Sequence, residues 1–138
     1  MNILIVEDNP TDRELLIEAL EEHFQAQARF REASNLLDAD SYLKRGSVDC
    51  VILDLGLPDS AGLDTFTRIY MAYPQIPIVV MSNTANLKLA TEMIKAGAED
   101  YILKDYTNTV ALFRRVMFAI ERCSRNRRRL MTDPPPTD

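Results

Sequence analysis

Three acids, one hydroxyl and one amine stand out because each follows a short apolar run. Glu7 and Asp8 follow Ile3-Leu4-Ile5-Val6, Asp54 follows Cys50-Val51-Ile52-Leu53, Ser82 follows Ile78-Val79-Val80-Met81, and Lys104 follows Tyr101-Ile102-Leu103. Each has an ordinary reading: Glu7 and Asp8 as partners of a helix dipole, Asp54 as a loop acid, Ser82 as a turn former, Lys104 as a solvated lysine. Their joint placement behind four separate runs is what those readings leave unexplained. Carboxylates brought together repel one another and raise their own pKa values unless a cation sits among them. An oxygen-only set with no histidine or cysteine nearby favours a hard ion, and so few protein ligands favour Mg²⁺ keeping several waters over a dedicated Ca²⁺ cage. Magnesium beside a free carboxylate suits phosphoryl chemistry, with Asp54 as a nucleophile able to form an aspartyl-phosphate and Lys104 as a second cation.

That chemistry needs the runs to end at one edge. Apolar runs at residues 3–6, 28–32, 49–53, 76–81 and 101–103 alternate with segments of helical period. Such alternation predicts a parallel sheet covered by helices, and near-continuous Ile/Leu/Val runs are expected of strands buried on both faces. Leu15, Leu16, Ala19 and Leu20 form a stripe on the first helix, Ala90, Met93, Ile94 and Gly97 on the fourth, and Val110, Phe113, Val116, Met117 and Ile120 on the fifth; these are read as core. Asn9 followed by Pro10 predicts a helix start directly after Asp8, with Thr11 and Glu14 as an alternative capping box. Gly46, Gly97 and Pro74 mark helix ends. In an open α/β sheet, ligands bind beyond the carboxyl ends of the strands, where all five residues fall.

Glu7-Asp8, the stretch Asp54-Leu55-Gly56-Leu57-Pro58-Asp59-Ser60-Ala61-Gly62, Ser82, and Tyr101-Ile102-Leu103-Lys104 together resemble the receiver domain of two-component response regulators, over about residues 1–123. The resemblance implies a flavodoxin-like, doubly wound, five-stranded parallel sheet of order 2-1-3-4-5 with five helices. It implies that Asp54 accepts a phosphoryl group from a histidine kinase or histidine phosphotransfer protein. Asp8, Asp54 and the Gly56 carbonyl would coordinate Mg²⁺, and Glu7 would act mainly through a metal-bound water. Lys104 would pair with the phosphoryl group, Ser82 would hydrogen-bond it, and Tyr101 would turn inward as Ser82 moves, a population shift read by a downstream protein target. Such a protein is a phosphoacceptor, catalysing its own phosphoryl transfer and slow autodephosphorylation, and not a classical enzyme. Two positions depart from the usual pattern: Asp105 follows Lys104 where many receivers have proline, and Asn83 follows Ser82 where many have alanine or glycine.

Length and composition agree with this reading. The 138 residues fit one domain, assigned to residues 1–123, with a basic then Pro-rich tail over residues 124–138 expected to be disordered. No apolar run approaches a membrane span, and the N-terminus lacks a basic segment and a cleavage site, so a cytoplasmic, stand-alone protein without an output domain is expected. Cys50 and Cys123 form neither a metal spacing nor a disulfide framework. Net charge is −7 over residues 1–120 and +2 over residues 121–138. An acidic body argues against nucleic-acid binding, since the five arginines from Arg122 to Arg129 lack interleaved aromatics and suit the end of a solvated helix. No glycine-rich phosphate loop is present, and His23, the only histidine, is expected at the surface.

Overall fold

A computed structural model describes residues 1–132. Its elements in chain order are β1 (Asn2–Val6), α1 (Pro10–Phe24), β2 (Arg29–Ala33), α2 (Leu36–Arg45), β3 (Cys50–Asp54), a two-stranded ribbon of β4 (Gly56–Leu57) and β5 (Ser60–Ala61), α3 (Gly62–Ala72), β6 (Ile78–Ser82), α4 (Leu87–Ala96), β7 (Asp100–Leu103) and α5 (Thr109–Thr132). A single 3₁₀ turn, Gln25–Gln27, joins α1 to β2. The five long strands form one parallel sheet ordered β2-β1-β3-β6-β7. With the ribbon left out of the count, this is the expected order 2-1-3-4-5.

Strand parity divides the core. Ile3, Ile5, Cys50, Ile52, Val79 and Met81 pack with Leu16, Leu20 and Phe24 of α1 and Leu112 and Val116 of α5. Leu4, Val6, Val51, Leu53, Ile78 and Val80 point the other way, onto Leu43 of α2, Phe66 and Ile69 of α3 and Met93 of α4. Side chains alternate across a strand, so a continuous apolar run is what a sheet covered on both faces requires. β2 is one of the two edge strands; its pattern is largely exposed, and Ala33 is its one buried residue.

Several expectations need correction. Leu15, Ile94 and Val110 were read as core, yet they are 43–47% exposed, because a helix on a sheet buries only part of its circumference. His23 is not a free surface residue: its Nε2 lies 2.8 Å from Thr109 Oγ1 and its ring 5.4 Å from that of Phe113, in the seam between α1 and α5. The boundary expected at residue 124 falls inside α5, which continues to Thr132. Arginine is a good helix former, and cations near a helix C-terminus suit its dipole. Residues 133–138, the Pro-rich part of that tail, lie outside the described residues.

Candidate functional site

The carboxyl ends of β1, β3, β6 and β7 meet in a cleft of about 370 Å³ whose lining includes Glu7, Asp8, Asp54, Gly56, Ser82 and Lys104. Each arrives there by local geometry. Asn9 caps α1, accepting from the Thr11 and Asp12 backbone N–H groups, and this turns the chain immediately after Asp8. Arg13 Nη1 donates to the Glu7 carbonyl at 2.8 Å, tying α1 to the end of β1. Asp54 and Ser82 are the last residues of β3 and β6. The Lys104 N–H donates to the Ser82 carbonyl at 2.8 Å, which extends the pairing of β6 and β7 by one residue.

One carboxylate oxygen from each of Glu7, Asp8 and Asp54 lies within 4.8 Å of the others. Glu7 is buried and Asp8 is exposed, so the cluster opens to solvent through Asp8. Lys104 Nζ reaches the rim of the cluster, 2.7 Å from Glu7 Oε2 and 3.4 Å from Asp54 Oδ1. Burial pushes the Glu7 carboxyl up; the bonds from Lys104 and the Asn9 N–H pull it back, while the Asp54 charge raises it further. Burial works against the Lys104 ammonium, but the bond to Glu7 and the charges of Asp54, Glu7 and Asp12 prevail and raise it above the ordinary lysine value. Both members of one ion pair therefore shift upward. The physical reading is that a buried site with excess negative charge holds its one ammonium firmly and bears its own carboxylates at a cost. An oxygen-only donor set with excess negative charge fits a hard divalent cation.

Gly56 sits against the nucleophile candidate, and a Cβ placed on it would lie 3.8 Å from Asp54 Oδ2. Ser82 Oγ lies 3.3 Å from Thr84 Oγ1 and accepts from the Thr84 N–H at 3.2 Å. The Tyr101 hydroxyl donates to the Thr84 carbonyl at 3.3 Å, so Ser82 and Tyr101 are tied to the same loop residue. No peptide bond is cis among the described residues. Asp105 builds the turn after Lys104 by accepting from the Thr107 N–H at 2.9 Å and its hydroxyl at 2.7 Å, which is the short-range chemistry aspartate offers where proline is absent.

All seven residues singled out in the sequence are thus gathered at one end of the sheet, Tyr101 through the loop it bonds. Sequence reasoning missed Asp12, whose Oδ2 lies 3.4 Å from Lys104 Nζ, and Thr84. Asp12 carries a usable signal: it falls in the first turn of a helix that begins two residues after Asp8. A larger hollow of about 480 Å³ lies between α2 and α3, lined by Leu36, Leu43, Ile69 and Tyr73 among others. Its polar groups are engaged elsewhere, Asp40 with Lys44 and Tyr73, Asp59 with the start of α2, and Arg68 with Asp64. Size therefore does not mark the reactive site.

The family model of the response regulator receiver domain matches residues 3–116. The chain belongs to that family. Among curated receiver-containing proteins, it is 36% identical to the response regulator protein PilR of Pseudomonas aeruginosa over 101 residues, 73% of this chain and 22% of that one. It is 33% identical to the transcriptional regulatory protein PhoP of Escherichia coli over 106 residues, 77% of this chain and 46% of that one. The chain therefore spans less than half the length of these relatives. Solved receiver structures share the fold. A CheY-like receiver domain protein from Methanospirillum hungatei superposes with a TM-score of 0.78 at 20% identity, covering 91% of this chain and 97% of the other. NtrX from Brucella abortus gives 0.84 at 25% identity, over 99% of this chain and 31% of the other. Receivers of two-component systems are phosphoacceptor signalling proteins, not classical enzymes, and no helix among the described residues is long and apolar enough to cross a membrane.

Proposed function

We propose that this receiver takes a phosphoryl group on Asp54 from the phosphohistidine of a histidine kinase or histidine phosphotransfer protein, and that a downstream protein reads the change by docking on the receiver itself. The observation that carries this reading is the convergence of Glu7, Asp8 and Asp54 beside Lys104, the ammonium 3.4 Å from Asp54 Oδ1. An Asp54 carboxylate oxygen attacks phosphorus; the new O–P bond forms as the histidine N–P bond breaks, and the imidazole departs with the electron pair. Glu7, Asp8 and Asp54, with the Gly56 carbonyl, would hold Mg²⁺, which supplies charge neutralisation on the transferring group. Glu7, the most buried of the three and bonded to Lys104, suits an outer role through a bound water.

Lys104 then pairs with the phosphoryl oxygens, and the Ser82 hydroxyl donates to one of them. Ser82 and Tyr101 share Thr84 as a partner, so movement of Ser82 toward the phosphoryl group alters the bond that holds Tyr101. This is a two-state element that phosphorylation can bias, carried on the β6–α4 loop and β7. Slow autodephosphorylation returns the domain to its starting state, and the whole cycle takes place in the cytoplasm, without membrane or nucleic acid as partner. Incubation with acetyl phosphate and Mg²⁺ followed by intact-mass spectrometry tests the proposal. One added phosphoryl group on the wild type and none on Asp54→Asn is expected; an unchanged wild-type mass, or equal labelling of Asp54→Asn, would refute it.

A further inference from the structure

Lys104 has a third carboxylate partner that the phosphoacceptor reading leaves unused. Asp12 Oδ2 lies 3.4 Å from Lys104 Nζ, and Asp12 is 33% exposed against 6% for the lysine. Asp12 is not one of the three clustered acids Glu7, Asp8 and Asp54. It lines the same cleft, on the α1 side. Its backbone N–H is held by the Asn9 cap at 3.1 Å, and the first turn of a helix favours a negative side chain at this position.

Four carboxylates, Glu7, Asp8, Asp12 and Asp54, face a cleft whose lining holds one ammonium, Lys104. A phosphoryl group arriving on Asp54 adds negative charge and needs that ammonium. Glu7, at 2.7 Å, is the nearest partner of Lys104. Asp12 Oδ2, on α1, competes for the same ammonium at 3.4 Å, the distance at which Asp54 Oδ1 also stands. A charge 3–4 Å away in a partly desolvated cleft is felt strongly, and one a third exposed is felt less as the salt concentration rises.

We propose that Asp12 is a positioning residue that draws Lys104 away from the phosphoryl group and so slows phosphorylation of Asp54. The inference rests on Asp54 being the phosphoacceptor. In the reaction with acetyl phosphate, the Asp54 O–P bond forms as the phosphorus–oxygen bond to acetate breaks, and acetate leaves with the electron pair. The oxygens of the transferring group gain from Lys104 only to the extent that Asp12 does not hold it.

The test is the rate of acetyl phosphate labelling at saturating Mg²⁺, followed by intact mass, for the wild type, Asp12→Asn and Asp12→Glu. Asp12→Asn should be faster by about three- to tenfold at low ionic strength, and the gain should shrink as salt rises. Asp12→Glu, which restores the charge, should return toward the wild-type rate. In a Lys104→Gln background the Asp12→Asn gain should fall to less than half, as a residue acting through Lys104 requires. Equal or slower labelling of Asp12→Asn overturns the inference and leaves Asp54 as phosphoacceptor intact. The full gain persisting in the Lys104→Gln background also overturns it, since Asp12 would then act by direct repulsion. Absence of label on every protein, wild type included, would instead overturn the phosphoacceptor reading.

Discussion

Lys104 is nine-tenths buried among acids. Its side chain is 6% exposed, and its nearest partner, Glu7, is 5% exposed. Removing one member of a buried pair leaves the other uncompensated, which costs about 3–5 kcal/mol in closed interiors. Here Asp54 and Asp12 retain some solvent, so Lys104→Met is expected to cost about 2–4 kcal/mol when divalent ions are chelated. A divalent cation supplies charge to the same cluster, and anything binding the folded state alone stabilises it, so added Mg²⁺ should recover part of the loss. Urea denaturation with chelator and with Mg²⁺ measures both, and an unchanged midpoint in the chelated variant would show that the pair is not a stability determinant.

Elements place these residues through their ends. α2 illustrates how an acid next to the site contributes without chemistry: the Asp59 carboxylate, in the turn between β4 and β5, accepts from the Leu36 and Leu37 N–H groups at 2.9 and 3.2 Å. The bond from the Leu36 N–H is the main cause that holds its carboxyl below the ordinary aspartate value. A lowered pKa means the folded state prefers the ionised form. The resulting stability is complete above the unfolded aspartate value near 4 and is lost as pH falls through the lower folded value. Asp59 is exposed, so water screens the effect, and Asp59→Ala is expected to cost only about 0.5–1 kcal/mol at neutral pH. That difference should diminish as pH falls below the ordinary aspartate range and the wild-type carboxylate protonates. Thermal melts of both proteins across that range are the measurement; a cost that stays constant to pH 2 would point to packing rather than charge. Gly97 serves α4 differently. It closes the helix at φ +121°, and a Cβ there would lie 2.5 Å from the Tyr70 ring, so the position excludes any side chain on two counts.

Two cores flank one sheet, and α5 runs on to Thr132. Among the α5 residues whose burial is described, the last buried one is Ile120, and the next turn is fastened by Arg122 Nη2 donating to the Glu99 carbonyl at 3.1 Å and by Cys123 Sγ near the Gln75 carbonyl at 3.4 Å. Truncation after residue 126 leaves all of these in place. It is expected to cost no more than about 1 kcal/mol, the range for changes away from packed features, and to leave labelling of Asp54 unchanged. Calorimetry and acetyl phosphate labelling of the shortened chain test this, and unfolding or loss of labelling would mean the distal helix supports the body.

Much of this was legible because the determining signals are local. Ile3-Leu4-Ile5-Val6, Cys50-Val51-Ile52-Leu53 and Ile78-Val79-Val80-Met81 specify strands apolar on both sides, which only a sheet covered on both faces can bury. Polar residues directly behind those runs fall at one edge, since parallel strands all end on the same side. Asn9-Pro10 sets the start of α1 by cap chemistry alone. Tertiary structure decided what depends on the path between distant segments. Glu7 and Lys104 are 97 residues apart in the chain, and their 2.7 Å contact exists because the crossovers bring the ends of β1 and β7 to one cleft. The same crossovers turn Asp12, an ordinary first-turn acid by sequence, toward that lysine. Helical periodicity marks an apolar stripe but not how wide a strip the sheet covers, so Leu15, Ile94 and Val110 were left partly in water. Periodicity and capping act over a few residues, where the sequence states them outright, whereas the distance between two charges is a property of the packed chain.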